Sequence, residues 1–329
     1  MKVIATNQYE KLDITDKKLN RTPIAGEILE IDDERFQKLN GENQFKAIFV
    51  KSIENIDEEK VIKYCFGSVS WGGYLERYIN IFAQNFIKLY RSLIAQNVNY
   101  EEIANPIVVY NGDKPDIASE FAINVVKKET GKDLILIQDK HKYNNSNIMY
   151  SMRNTLRKEF KKACPDEKVY FYFPMDDRIK GEETAKELIK LAKEEKPSAC
   201  LFKFLVKEEK NQYFAETKPI KSYQDINPDN WGGYCAYKIV NDEECPLYPK
   251  IPVPNVAFYI ELFKKGYIEY SSSTTCVEHL RHKDSHHFKF KNEKITQETK
   301  DYLLKQKEEL MKKERKWKSG NSKQNQKNV

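Results

Sequence analysis

Two adjacent carboxylates, Asp176 and Asp177, close the stretch YFYFPMDDR at 170–178. Side by side after a run of aromatic residues they repel each other, and something must offset that repulsion. A hard divalent cation such as Mg²⁺ or Mn²⁺ does so in many proteins, bridging one or two carboxylates to substrate phosphates. The plainer reading is an Asp-Asp turn that caps the next helix. A second concentration of chemistry lies at HLRHKDSHH, which holds four of the five histidines just after Cys276. The spacing suits zinc, yet no second Cys/His pair stands nearby to close a structural site. Further polar groups, Asn111, Asp113 and Asp139, follow short apolar runs in PIVVYNGDKPD and DLILIQD.

These groups need a scaffold, and from residue 61 the pattern alternates strand and helix. VIKYCFGSVSW reads as a strand. YLERYINIFAQNFIKLYRSLIAQ reads as an amphipathic helix with Leu75, Ile79, Phe82, Phe86, Leu89 and Leu93 on one face. PIVVYN, DLILIQD and KVYFYF are the next strands. ASEFAINVVKKETG, closed by Gly131, and SNIMYSMRNTLRKEFKKAC are the helices between them. ETAKELIKLAKEEKP is a further helix, SACLFKFLVKEE a strand, and NPDNWGGYCAYKIV a loop leading into a strand. VPNVAFYIELFKKGY is a helix ended by Gly266, and IEYSSSTTCVEHL a strand. Such alternation predicts an α/β fold with a mostly parallel sheet flanked by helices. Ligands of these sheets bind at the carboxyl ends of the strands, where Asn111, Asp113, Asp139 and the Asp176–Asp177 pair fall.

Residues 1–57 read as a small α+β domain: strands in MKVIAT, GEILEI and KAIFVKSI, and a helix in DDERFQKLNG capped by Asp32 or Asp33 and stopped by Gly41. Residues 58–290 form the α/β domain, and 291–329 a charged helix with a polar basic tail. KKERKWK near the end is basic with one aromatic, a pattern that fits a solvated helix end better than a nucleic-acid contact. The 329 residues carry 56 Lys and Arg against 50 Asp and Glu, a net charge of +6 that does not by itself argue for nucleic acid. Six cysteines without a CxxC pair fit a reduced compartment. No apolar run approaches the roughly 20 residues of a membrane span, and MKVIATNQYEK has no signal-peptide core. A cytoplasmic protein is expected.

The order of these pieces resembles the GT-A fold nucleotide-sugar glycosyltransferases, most of all their large inverting family, over residues 60–282. VVYNGDKPD is similar to the family's V-D-N-G-S-x-D stretch that grips the nucleoside. SMRNTLRKEF is similar to its A-R-N-x-G helix, and FPMDD stands where the family places D-x-D. VPNVAFYIELFKKGY is similar to E-D-x-x-L-x-x-R-x-x-x-x-G, and TTCVEH to the segment whose final histidine completes a metal site. The resemblance implies a donor site of Asn111, Asp113, Arg153, Asn154 and Asp176. It implies Mn²⁺ or Mg²⁺ on Asp177 and His279, with His282, His286 and His287 left as surface or phosphate contacts. In WGGYCAY, Gly232 allows close backbone approach and Trp231 or Tyr234 can stack on a sugar; the alternative is a strand start with a buried aromatic. The implied partners are a nucleotide sugar, a uridine diphosphate sugar foremost, and an acceptor such as DNA, a protein or a glycan. The first 57 residues resemble a module that opens many phage proteins, which implies phage partners and, as one location, the virion.

Two positions depart from the pattern. Pro174 replaces the first Asp of D-x-D, and Asn255 stands where the family has its catalytic Asp. An amide cannot take a proton from an acceptor hydroxyl. A base could then come from Glu261, Asp242 or Glu244, or the enzyme could be retaining, or the domain could bind a sugar nucleotide without transfer. A non-catalytic carbohydrate-binding or virion protein on this scaffold is the competing reading. A nucleotidyltransferase is a third, disfavoured because no Gly-rich phosphate loop with a lysine follows the first strand.

Overall fold

The structure is a computed structural model. It describes residues 2–5, 28–34, 36, 50–52, 62–71, 74–112, 117–140, 148–164, 167–208, 211–227, 234–241, 243–251, 254–280 and 297–312. Near the amino terminus, β1 (Lys2–Ala5) pairs antiparallel with both β2 (Ile28–Glu30) and β3 (Val50–Ser52), giving a three-stranded sheet of its own. Asp33, Glu34 and Phe36 are helical, and the Phe36 amide donates to the Asp32 carbonyl at 3.0 Å. The predicted stop at Gly41 lies outside the described residues.

The larger unit is built on nine strands: β4 (Lys63–Trp71), β5 (Ile107–Asn111), β6 (Ile135–Gln138), β7 (Lys168–Tyr172), β8 (Arg178–Ile179), β9 (Ser198–Lys207), β10 (Gln212–Ala215), β11 (Tyr234–Ile239) and β12 (Ile268–Leu280). Their order is β6-β5-β4-β7-β11-β9-β12-β8, with β10 paired to β9 off this path. β6, β5, β4 and β7 run parallel; β11 runs against both β7 and β9; β12 is parallel to β9. This is a mostly parallel, GT-A-like α/β sheet, as the alternation of elements predicts. The short β8 and the β9–β10 hairpin carry no alternation of their own in sequence and were not anticipated.

The helices are α1 (Tyr74–Ala95), α2 (Ile117–Thr130), α3 (Ile148–Ala163), α4 (Gly181–Ala192), α5 (Pro254–Lys264) and α6 (297–312). Alternation along β7 shows why both faces of the sheet must be covered. Val169 and Phe171 pack with α1, α2 and α4; Tyr170 and Tyr172 pack with α3, α5 and Leu303 of α6. Leu75, Ile79, Phe82, Phe86, Leu89 and Leu93 are all buried, so the stripe read from the sequence is the face α1 presents to the sheet. Gly131 and Gly266, at φ 70° and 82°, end α2 and α5 in the left-handed conformation that glycine adopts without cost.

Strand order reverses at β4, which has β5 and then β6 on one side and β7 on the other. The carboxyl ends of β4 and β7 therefore flank the crevice where open α/β sheets take their ligands. Among the described residues no helix is long and apolar enough to cross a membrane.

Candidate functional site

β7 carries the chain to the crevice, and the carboxylates follow after three intervening residues. Asp177 is fully buried and Asp176 nearly so. The carbonyl of Asp177 accepts from Asn85 Nδ2 of α1 at 2.5 Å, and Asn85 Oδ1 accepts from the Ile179 amide at 3.0 Å. One side chain thus fixes the turn on both sides. Each carboxylate then meets a phenol. Tyr74, the first residue of α1, donates to Asp176 Oδ2 at 2.7 Å, and Tyr234, the first residue of β11, donates to Asp177 Oδ2. Burial, reinforced by the adjacent carboxylate, raises the pKa of both phenols, so they remain protonated donors.

His279, from the end of β12, completes the cluster. Its Nδ1 lies 2.8 Å from Asp177 Oδ1 and 2.7 Å from the Tyr234 hydroxyl. An ionised carboxylate only accepts, so Nδ1 bears the proton in this contact. Residues 102 positions apart in sequence are in direct contact here. Among the described residues no group of three or more His, Cys, Asp or Glu is spaced as a ready metal site. The carboxylates and the imidazole bond instead to one another and to the phenols.

On the other face of β7 stands Arg153 of α3. Its guanidinium lies 4.2 Å above the Tyr172 ring and 5.2 Å from the Tyr248 ring, and it donates to Asn255 Oδ1 at the start of α5. Nε has no partner, the side chain is buried, and no carboxylate faces it among the described residues. A guanidinium remains charged at any physiological pH, so among the described residues this is a buried positive charge held by the Tyr172 phenol, by aromatic faces and by the Asn255 amide oxygen. Tyr172 connects the two constellations: it lies beneath Arg153, and its phenol adds to the raised pKa of Tyr234.

The remaining candidates are dispersed. Asn111, at the end of β5, donates through Nδ2 to the Asp139 carbonyl at 2.7 Å, tying β5 to β6. Asn154 exchanges two bonds with the Tyr248 backbone, at 3.0 and 2.8 Å, and so clamps the loop before α5. Glu261 binds Lys264 at 2.9 Å and faces Tyr302 of α6 at 3.5 Å, away from the carboxylate cluster. Glu244 is exposed in a turn. Asp113, Trp231, Gly232, Asp242, His282, His286 and His287 lie outside the described residues. Tyr74, Asn85, Tyr172 and Tyr248 were not singled out from the sequence. Tyr74 and Tyr172 follow or end predicted strands, but nothing in their spacing marks them.

No sequence profile of a protein family matches the chain, and no curated protein matches it in sequence. Solved structures similar to it include S. aureus TarS residues 1–349 in complex with UDP, at 13% identity and TM-score 0.45, covering 68% of this chain and 61% of that one. Another S. aureus TarS structure gives 12% identity and TM-score 0.44 over 68% of this chain and 37% of its own. A third is the mannosyltransferase PcManGT from Pyrobaculum calidifontis in complex with GDP-Man and Mn²⁺, at 11% identity and TM-score 0.42, covering 68% and 58%. In each case the match spans less than two thirds of the similar protein.

Proposed function

We propose that the chain is a glycosyltransferase that takes a sugar from a nucleotide-sugar donor seated at the carboxyl ends of β4 and β7. The observation that carries this reading is the direct contact of Asp177 with His279, next to Asp176 and beyond the carboxyl end of β7. Arg153 on the adjoining face, which meets no carboxylate among the described residues, adds to it. Such a buried guanidinium suits an anionic ligand such as a diphosphate, through charge-assisted bonds. Asn255 serves it by orienting the guanidinium, a role an amide can fill although it cannot act as a base.

Carboxylate and imidazole donors suit Mn²⁺, and carboxylates Mg²⁺, although among the described residues these three are not spaced as a ready site. Asp177 and His279 would hold the ion with Asp176 beside them, and a cation there supplies charge that offsets a departing diphosphate. Tyr74 and Tyr234 keep the carboxylates oriented while they are buried. The acceptor is a hydroxyl-bearing molecule, with DNA, protein and glycan as the classes to screen.

The test is release of nucleoside diphosphate from a panel of nucleotide sugars, with and without Mn²⁺, beside Asp177→Ala. Metal-dependent release from one donor, lost in the variant, is expected. Release that is equal in the variant would place the chemistry elsewhere. Failure to bind any donor under either condition would reject the reading.

A further inference from the structure

β12 does not run in register with its neighbour. Ile268 to Ser271 face Ser198 to Leu201 of β9, but Thr275 faces Lys203, and Val277 to Leu280 face Phe204 to Lys207. Two register shifts, one on either side of Thr275, insert three extra residues into β12. Because side chains alternate across a sheet, an odd insertion exchanges the two faces. Before the shifts Tyr270 points to the α1–α4 face and Glu269, opposite Ala199, to the other. After them the odd-numbered Val277 and His279 occupy the α1–α4 face, opposite Phe204 and Val206. An unbroken strand would set Cys276 opposite Val206 and send His279 past the end of β9 on the wrong face.

The bulge is held from α4, the helix that follows the Asp176–Asp177 turn after the short β8. Glu187, buried among apolar neighbours, accepts from the Ser273 amide at 2.8 Å and the Ser273 hydroxyl at 2.6 Å, while Cys200 Sγ lies 3.8 Å from its other oxygen. Thr184 Oγ1 donates to the Cys276 carbonyl at 3.0 Å, and the Lys180 amide to the same oxygen at 2.8 Å. Ser272 Oγ accepts from the Lys203 amide and donates to the Thr274 carbonyl, both at 2.8 Å. A carboxyl group costs several kcal/mol to bury unless it is bonded, and these bonds are spent on the one irregular segment of β12.

We infer that Glu187 is a positioning residue: it locks the three-residue bulge that turns His279 onto Asp177. The inference rests on His279 belonging to the proposed donor site, but its geometry can be read without donor or metal.

The experiment is ¹H–¹⁵N NMR of the histidine side chains in the full-length protein, with His279 assigned through His279→Gln. Wild type is expected to show a His279 Nδ1 proton shifted downfield by its bond to Asp177. Glu187→Ala should lose that resonance and weaken Mn²⁺ binding about tenfold, the lower range for groups that orient a metal ligand. Glu187→Gln, which keeps an acceptor oxygen towards Ser273, should restore both. If Glu187→Ala does not fold, Ser273→Ala carries the test, since it removes the hydroxyl that bonds Glu187: a displaced His279 resonance supports the inference and an unchanged one overturns it. A folded Glu187→Ala with the wild-type His279 signal also overturns it. Absence of nucleotide-sugar turnover in wild type, with the His279 signal responding as expected, would reject the functional reading and leave the bulge intact.

Discussion

Among the described residues Tyr234 is the donor to Asp177 Oδ2, and its loss removes a bond from a fully buried carboxylate. Tyr234→Phe is expected to cost about 1–3 kcal/mol, measured by urea denaturation, and to weaken Mn²⁺ binding. An unaltered midpoint would mean that the contact contributes nothing. Asn85→Ala removes two bonds to the turn backbone at once and should cost at least as much. The sequence singled out Asp176, Asp177 and His279 because carboxylate pairs and clustered histidines are rare and chemically conspicuous. It did not single out Asn85 or Tyr74, whose roles arise only when α1 is laid across the end of β7. Nor did it show that both faces of the Asn154 amide are consumed by the Tyr248 backbone, because an asparagine on a helix carries no mark of its partner.

At the scale of elements, α4 crosses α1 closely at Gly181. A Cβ there would lie 2.6 Å from Ser92 Oγ and 3.0 Å from the Lys88 carbonyl. Gly181→Ala should therefore cost about 1–3 kcal/mol through overpacking, seen as a lowered Tm, and should disturb the carboxylate turn four residues upstream. β12 makes a pH-dependent contribution through Glu269. Burial pushes its pKa up to about 8, against a bond from the Ile220 amide that lowers it. The unfolded chain ionises this group near 4.5, so stability falls as pH rises from there to about 8 and is insensitive to Glu269 beyond. Glu269→Gln should flatten the Tm profile across that window; a parallel profile would contradict the assignment. Helices and parallel strands were legible from their periodicity. The bulge was not, because SSSTT carries no apolar alternation to reveal a change of face.

For the molecule as a whole, α6 is part of the core. It reads as a charged helix in sequence, yet Leu303 is fully buried against the α3–α5 face and Lys307 donates to the Ile226 carbonyl at 3.1 Å. Leu303→Ala should cost about 2–5 kcal/mol by chemical denaturation, whereas a value near zero would show α6 to be dispensable. The parallel order of β6-β5-β4-β7 follows from helices alternating with strands, since each crossover returns the chain to the same end of the sheet before the next strand. The antiparallel β11, set between β7 and β9, is a tertiary choice. It brings Tyr234 beside Asp177, and no local pattern in NPDNWGGYCAYKIV specifies it.

On the proposed reading, Asp177 and His279 belong to one donor site to which Arg153 contributes charge. Calorimetric titration of nucleotide-sugar donors into wild type, Asp177→Ala and Arg153→Ala, with Mn²⁺ and with chelator, tests it most directly. Metal-dependent binding of one donor class is expected, lost in Asp177→Ala and weakened roughly tenfold or more in Arg153→Ala as a charged contact is removed. Equal affinity in all three proteins, or binding indifferent to metal, would contradict it.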